Sequence, residues 1–67
     1  MKIQCGSYYK NRTGKIICID YKTRAGIFVG RYVASMRTFR CLLNGMQNKD
    51  GRPNGRDLVE HVRYGDF

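Results

Sequence analysis

Residues 8–21 read YYKNRTGKIICIDY, and this stretch predicts two β-strands joined by a tight turn. Its second half is rich in isoleucine, which favours strands, and Gly14 can adopt the positive φ that such a turn requires. Neighbouring residues of a strand point to opposite faces of a sheet. We therefore expect one of Tyr8 and Tyr9 to lie in the core and the other to be displayed at the surface.

The rest of the chain repeats this alternation of short apolar runs and turn residues. KTRAG at 22–26 and NG at 44–45 are typical turn sequences, and QNKDGRPNGR at 47–56 predicts a long polar loop. No run keeps the 3.6-residue period of an amphipathic helix. The predicted strands are 7–12, 15–21, 26–33, 38–43 and 60–64. A single helical or 3₁₀ turn capped by Asp57 is expected between the loop and the last strand.

Alternation also separates the two faces of the second and fourth strands. Ile17, Ile19 and Tyr21 are expected to share one face of the second strand, and Phe39, Cys41 and Leu43 one face of the fourth. Gly30, inside the third strand, predicts a bulge or a sharp bend. Because a strongly bent antiparallel sheet of four or five strands commonly closes on itself, we expect an all-β, SH3-like barrel. At 67 residues the chain is expected to be one domain, 1–67, with one small core.

The composition is strongly basic. Thirteen lysines and arginines stand against five acidic residues, which gives a formal net charge of +8. A surplus of this size on a small domain indicates an anionic partner, either a nucleic acid, a nucleotide or an acidic protein surface. No apolar run approaches the ~20 residues that a membrane helix needs, and no secretory signal is visible. We therefore expect a cytoplasmic protein with no membrane partner.

Residues that could carry catalysis or bind a metal are few. The three cysteines, Cys5, Cys18 and Cys41, are too widely spaced for a paired zinc motif, and their odd number does not suit a disulfide framework. His61 is the only histidine, and its neighbour Glu60 would point to the opposite face of a strand. We therefore expect no enzyme activity, no metal and no cofactor.

Basic residues gather at the predicted turns and strand ends, where small β-domains display binding surfaces. Eight of the thirteen are arginine, which suits bidentate phosphate contacts. Aromatic rings can stack on bases, at roughly 1–3 kcal/mol per base. The predicted site for a nucleic acid or a nucleotide comprises Tyr9 as the stacking residue and Lys10, Arg12, Lys15, Arg40, Arg52 and Arg56 as the phosphate contacts.

A second interpretation is an inhibitor that docks its basic face on an acidic surface of another protein. The same cations would then contact carboxylates instead of phosphates. Self-association is a further hypothesis that concerns the apolar surface. Leu42, Ile16 and one of the paired tyrosines would leave apolar area exposed, and a symmetric homodimer would cover it.

Short motifs occur in a fixed order along the chain. They are Gly6, Tyr8-Tyr9, Arg12 and Gly14-Lys15 at the start, Phe28 and Gly30 in the middle, Asn44-Gly45 in a turn, and Asp57-Leu58-Val59-Glu60 near the end. This layout resembles a group of very small proteins encoded by phages and prophages, which look like SH3-like β-barrels. The resemblance implies no single activity, but an accessory role in the host cytoplasm, in host takeover or counter-defence. The chain departs from the group in its basic charge and in having Phe39, not a tryptophan, before the Asn-Gly turn.

Overall fold

Five β-strands make up the regular secondary structure of the computed structural model, which describes residues 2–67. The strands are β1 (Tyr8–Asn11), β2 (Ile16–Lys22), β3 (Phe28–Tyr32), β4 (Thr38–Cys41) and β5 (Leu58–Val62). They form one sheet in the order β4-β3-β2-β1-β5, and every neighbouring pair is antiparallel. The predicted all-β class is thereby confirmed, and each observed strand overlaps one of the five predicted strands.

The sheet is open, with β4 and β5 at its two edges. Across residues 2–67 no ladder joins these edges, so the predicted SH3-like barrel is not confirmed. The edges approach each other where the Leu58 N–H donates a 2.9 Å hydrogen bond to the Gly45 carbonyl. Gly45 has a φ of 84°, and a Cβ there would lie 3.2 Å from side-chain atoms of Ile3 and Leu58. The turn that follows β4 therefore needs glycine for its conformation and for the space.

The predicted helical or 3₁₀ turn at 57–60 is absent from the described part of the chain, and β5 begins directly at Leu58. An aspartate that caps a helix accepts hydrogen bonds from residues that follow it. The carboxylate of Asp57 instead accepts them from the backbone N–H groups of Gln47 and Asn54, which precede it. Asp57 therefore closes the preceding loop, and the last strand begins earlier than predicted.

The core contains apolar residues from all five strands and from the N-terminal segment. The buried hydrophobic residues are Ile3, Tyr9, Ile17, Ile19, Phe28, Val29, Phe39, Cys41, Leu58 and Val62. Tyr9 is the buried member of the tyrosine pair, at 2% exposed, and Tyr8 is half-buried. The Tyr9 hydroxyl accepts a 2.9 Å hydrogen bond from the Gln4 N–H. This contact holds the N-terminal segment in place, and Ile3 covers the core beside it.

Two residues predicted to share a strand face with residues that are buried lie outside the core. Tyr21 is 55% exposed because the register shifts between Ile19 and Tyr21 on β2. Leu43 is 56% exposed because β4 ends at Cys41 and Leu43 lies in the following turn. Gly30 pairs with Ile19, where the shift begins. The bulge that Gly30 predicts is therefore present, but on the strand opposite it.

Candidate anion-binding groove

A groove of about 820 Å³ opens at the end of the sheet where the β1–β2 and β3–β4 turns lie side by side. The Val33 N–H joins these turns by donating a 2.9 Å hydrogen bond to the Ile16 carbonyl. A third wall comes from the long loop between β4 and β5. This loop reaches the first turn at Gly55, where a Cβ would lie 3.3 Å from the Thr13 side chain. We call this surface the basic groove.

Four cationic side chains line the basic groove, and no aspartate or glutamate does. These groove cations are Lys15, Arg37, Arg40 and Arg56. The ion pairs found among residues 2–67 use other cations, namely Arg12 with Asp57, Arg31 with Asp20 and Arg52 with Asp50. Positive charges that lie close together without a neighbouring negative charge create a positive potential, which attracts an anion.

A buried asparagine sets the turn that carries Lys15. The side-chain oxygen of Asn11, which is 2% exposed, accepts hydrogen bonds from the backbone N–H groups of Thr13 (3.0 Å) and Lys15 (2.9 Å). The Thr13 hydroxyl donates to the same oxygen at 2.8 Å. Gly14 completes the turn with a φ of 85°. The backbone of Lys15 is therefore fixed by local hydrogen bonds before any ligand is present.

The loop wall is organised by a second buried side chain, that of Asp57. Its carboxylate accepts the backbone N–H of Gln47 at 2.7 Å and of Asn54 at 2.9 Å, which closes the loop at both ends. The Arg12 Nε lies 3.5 Å from the same carboxylate. Burial raises the pKa of Asp57, but these donors lower it by more, so the pKa lies below its ordinary value. The carboxylate is therefore ionised at neutral pH.

Two aromatic residues are found in the lining of the basic groove, Tyr32 and Phe39, and Phe39 is almost fully buried there. Their rings pack edge to face, with the centroids 5.6 Å apart. The Lys15 Nζ lies 5.9 Å from the centroid of the Tyr32 ring, at the outer limit of a cation–π contact. Tyr32 is half-buried, so part of its ring is accessible to a ligand.

The structure brings together three of the predicted phosphate-binding residues, Lys15, Arg40 and Arg56. It adds Arg37 and Tyr32, which the prediction omitted. A sequence signal for both was present in RYVASMR at 31–37, where an aromatic residue ends a strand and an arginine ends the next turn.

The remaining predicted residues lie outside the basic groove. Arg12 and Arg52 are paired with aspartates, and Lys10 lies opposite Glu60 in the β1–β5 ladder. The prediction that Tyr9 stacks on a base is wrong, because this residue is buried in the core. Its ring packs beside His61, with the centroids 5.1 Å apart, and a ligand cannot reach its face.

Residues with catalytic or metal-binding potential are dispersed. Among residues 2–67, no group of three or more histidine, cysteine, aspartate or glutamate side chains is placed to hold a metal ion. The three cysteines are free thiols. Burial raises the pKa of Cys41 to about 11, so this thiol is protonated at neutral pH. Within the same range, no helix has the length and apolar character needed to span a membrane.

No protein-family model, curated protein or solved structure matches the chain.

Proposed function

We propose that this protein is a non-enzymatic binding protein whose basic groove takes the phosphate groups of a nucleic acid or a nucleotide. The observation that carries the proposal is that four cations share one groove with no acidic residue in its lining. Three of them are arginines, whose guanidinium groups can each donate two hydrogen bonds to a phosphate. Internal hydrogen bonds already hold the turns that carry Lys15 and Arg56, so binding does not have to order them.

The dimensions of the basic groove suit a nucleotide or a short single strand. Its volume of about 820 Å³ falls within the range of about 300–1,000 Å³ that is typical of small-ligand sites. Tyr32 would contact a base or a sugar while the groove cations contact phosphate. Thr13, Ser35 and Asn54 add hydrogen-bonding groups to the lining. Single-stranded DNA, RNA and nucleotide second messengers are the ligand classes that this arrangement accommodates.

Binding titrations at several salt concentrations test the proposal. Fluorescent single-stranded DNA, RNA and dinucleotides would be titrated with the protein between about 50 and 200 mM salt. If all four groove cations contact phosphate, the logarithm of the association constant for a single strand should fall with the logarithm of salt concentration with a slope of about −3. Failure to bind any of these ligands at about 50 mM salt would contradict the proposal.

A matched pair of variants separates the basic groove from overall charge. The first variant combines Lys15→Gln, Arg37→Gln, Arg40→Gln and Arg56→Gln. The second combines Lys2→Gln, Lys22→Gln, Arg24→Gln and Arg63→Gln, which are exposed cations outside the basic groove. Both variants lose four positive charges. We expect the first to bind on the order of 100-fold more weakly than wild type and the second only a few-fold. Equal losses would mean that net charge alone drives binding.

A second candidate function is inhibition of another protein by docking on its acidic surface. An exposed aromatic cluster favours it, because the rings of Tyr8, Tyr64 and Phe67 lie 5.2–6.2 Å apart and Tyr64 is 81% exposed. Aromatic residues are enriched at protein interfaces. A pull-down after nuclease treatment separates the two functions. A protein partner that survives nuclease and is lost with Tyr64→Ala favours docking, whereas a partner lost with nuclease favours nucleic-acid binding.

The resemblance to small phage-encoded proteins supports an accessory role in host takeover or counter-defence, in which the protein sequesters its ligand in the host cytoplasm. An SH3-like barrel is the architecture that we propose for the sheet. The hydrogen bond between Leu58 and Gly45 supports it, because it brings the start of β5 to the turn after β4.

A further inference from the structure

Asp57 differs from the other acidic residues because its carboxylate is buried beside a site proposed for anions. Its side chain is 1% exposed, and it lies between Arg56, a groove cation, and the first residue of β5. A negative charge near an anion site opposes binding by Coulomb repulsion. If Asp57 favours anion binding, its contribution to the structure of the site must therefore exceed this repulsion.

The hydrogen bonds of Asp57 extend to two groove cations. Gln47 donates its backbone N–H to the carboxylate at 2.7 Å and its side-chain amide to the Arg40 carbonyl. Asn54 donates its backbone N–H to the carboxylate at 2.9 Å, and its side-chain oxygen accepts the Arg56 N–H at 2.8 Å. One carboxylate is therefore linked, through one residue in each case, to the backbone of Arg40 and of Arg56.

A third connection joins Asp57 to the β1–β2 turn. The Arg12 N–H donates a 3.1 Å hydrogen bond to the Asp57 carbonyl, and the Arg12 Nε lies 3.5 Å from the carboxylate. Asn11, the neighbour of Arg12, fixes the backbone of Lys15. The wall that carries Lys15 and the wall that carries Arg56 are therefore joined at Asp57.

We propose that Asp57 is a positioning residue of the anion site, whose carboxylate holds the walls of the basic groove at the spacing a phosphate ligand needs without touching that ligand. This inference rests on the proposed function. Asparagine at this position is nearly isosteric, but its amide nitrogen cannot accept a hydrogen bond. One of the N–H groups of Gln47 and Asn54 would then lose its acceptor, and the loop wall would loosen.

Asp57→Asn is the informative variant because the charge and the hydrogen bonds of Asp57 act in opposite directions. Loss of the charge alone would tighten anion binding, whereas loss of positioning weakens it. We expect the Kd for a fluorescent single-stranded oligonucleotide to rise about tenfold. The slope with salt should stay unchanged, because no phosphate contact is removed. Amide hydrogen exchange at Gln47 and Asn54 in the free protein should become faster.

Asp50→Asn is the matched control. Asp50 lies in the same loop and is paired with an arginine, but its side chain is 55% exposed. This variant removes the same charge, so its Kd should be equal to or below that of wild type, with no change in exchange at Gln47 and Asn54. A Kd for Asp57→Asn at or below the wild-type value would overturn the proposal.

A second comparison applies if Asp57→Asn does not fold. Arg12 and Arg31 are both about half exposed, and each is paired with one aspartate. Weaker binding and faster exchange in Arg12→Gln, but not in Arg31→Gln, would support the proposal, and equal behaviour would overturn it. If wild type binds none of the single-stranded DNA, RNA and dinucleotide ligands while exchange still rises in the variant, the proposed function is wrong and Asp57 has only a structural role.

Discussion

At the scale of single residues, Gly30 shows how closely β2 and β3 approach each other. A Cβ at this position would overlap the backbone carbonyl group of Cys18 on β2. The neighbouring residue, Ile19, is where the register of the two strands shifts. The carbonyl cannot move aside without disturbing the hydrogen bonds of the ladder. Glycine is therefore required at this position for space.

Gly30→Ala should lower the free energy of unfolding by about 3 kcal/mol, because the added methyl group meets main-chain atoms that cannot relax. Gly14→Ala is the control. Gly14 has a φ of 85°, but the space around it is open. Gly14→Ala should lower the free energy of unfolding by only about 1 kcal/mol, because alanine is strained in the left-handed conformation. Urea unfolding followed by circular dichroism measures both values. An equal loss of unfolding free energy in the two variants would contradict the interpretation that Gly30 is required for space.

At the scale of elements, the loop 47–56 is ordered mainly by contacts at its two ends. Asp57 binds the backbone of Gln47 and of Asn54, and β5, which starts at the next residue, is fixed by pairing with β1. Inside the loop, the contacts of Asp50 are local: it accepts the Arg52 N–H at 3.1 Å and pairs with the Arg52 Nε at 3.0 Å. The shape of this wall of the basic groove therefore depends on one ionised carboxylate.

The free energy of unfolding should depend on pH because Asp57 stabilises the fold only when its carboxylate is ionised. Burial raises the pKa of Asp57 but its donors lower it by more, so the folded pKa lies below the unfolded value of about 3.9. Asp57 therefore stabilises the fold above that pH, and the contribution is lost as the pH falls through the folded pKa. The difference in unfolding free energy between wild type and Asp57→Asn should be largest at neutral pH and should decrease below about pH 4. Urea unfolding across this range measures it, and a constant difference would contradict the expectation.

The strands could be predicted from the sequence because alternation is a local property. The register shift after Ile19 could not, since it depends on pairing with β3. The prediction of a helical turn after Asp57 was wrong for a similar reason. Asp57 looks like a cap for the residues that follow it, but it binds Gln47, ten residues earlier in the chain. Local sequence does not contain that contact.

The candidate site could be predicted only in part. Charge at turns was sufficient to select Lys15 and Arg56, but not Tyr32, which joins the groove because it pairs with Ile17 on β2. Alternation separates Tyr8 from Tyr9 without saying which of them faces the core. That choice depends on where the rest of the sheet and the N-terminal segment pack.

At the scale of the whole molecule, positive charge greatly exceeds what the fold neutralises. Thirteen lysines and arginines are present, and only three of them form ion pairs within residues 2–67. A domain of this size has a small margin of stability. Four unpaired cations in one groove reduce that margin, and the proposed binding role would be a reason to retain them.

The fourfold glutamine variant of the groove cations should therefore be more stable than wild type at low salt. We expect its Tm to rise by about 4 °C or more at low ionic strength, because repulsion within the basic groove is removed. The gain should fade as salt screens the charges. Thermal unfolding at low and high salt measures it. The fourfold control outside the basic groove should gain less, and an equal gain would show that the repulsion is not local.

The position of β1 between β2 and β5 has a consequence for biosynthesis. Tyr8 on β1 pairs with Val62 on β5, so β1 receives its second neighbour only after synthesis has passed β5. Pairing between segments so distant in sequence slows folding, and an unpaired strand edge is open to other chains in the meantime. Asp57 immediately precedes β5, so the walls of the basic groove can be joined only after the nascent chain has been synthesised through this segment.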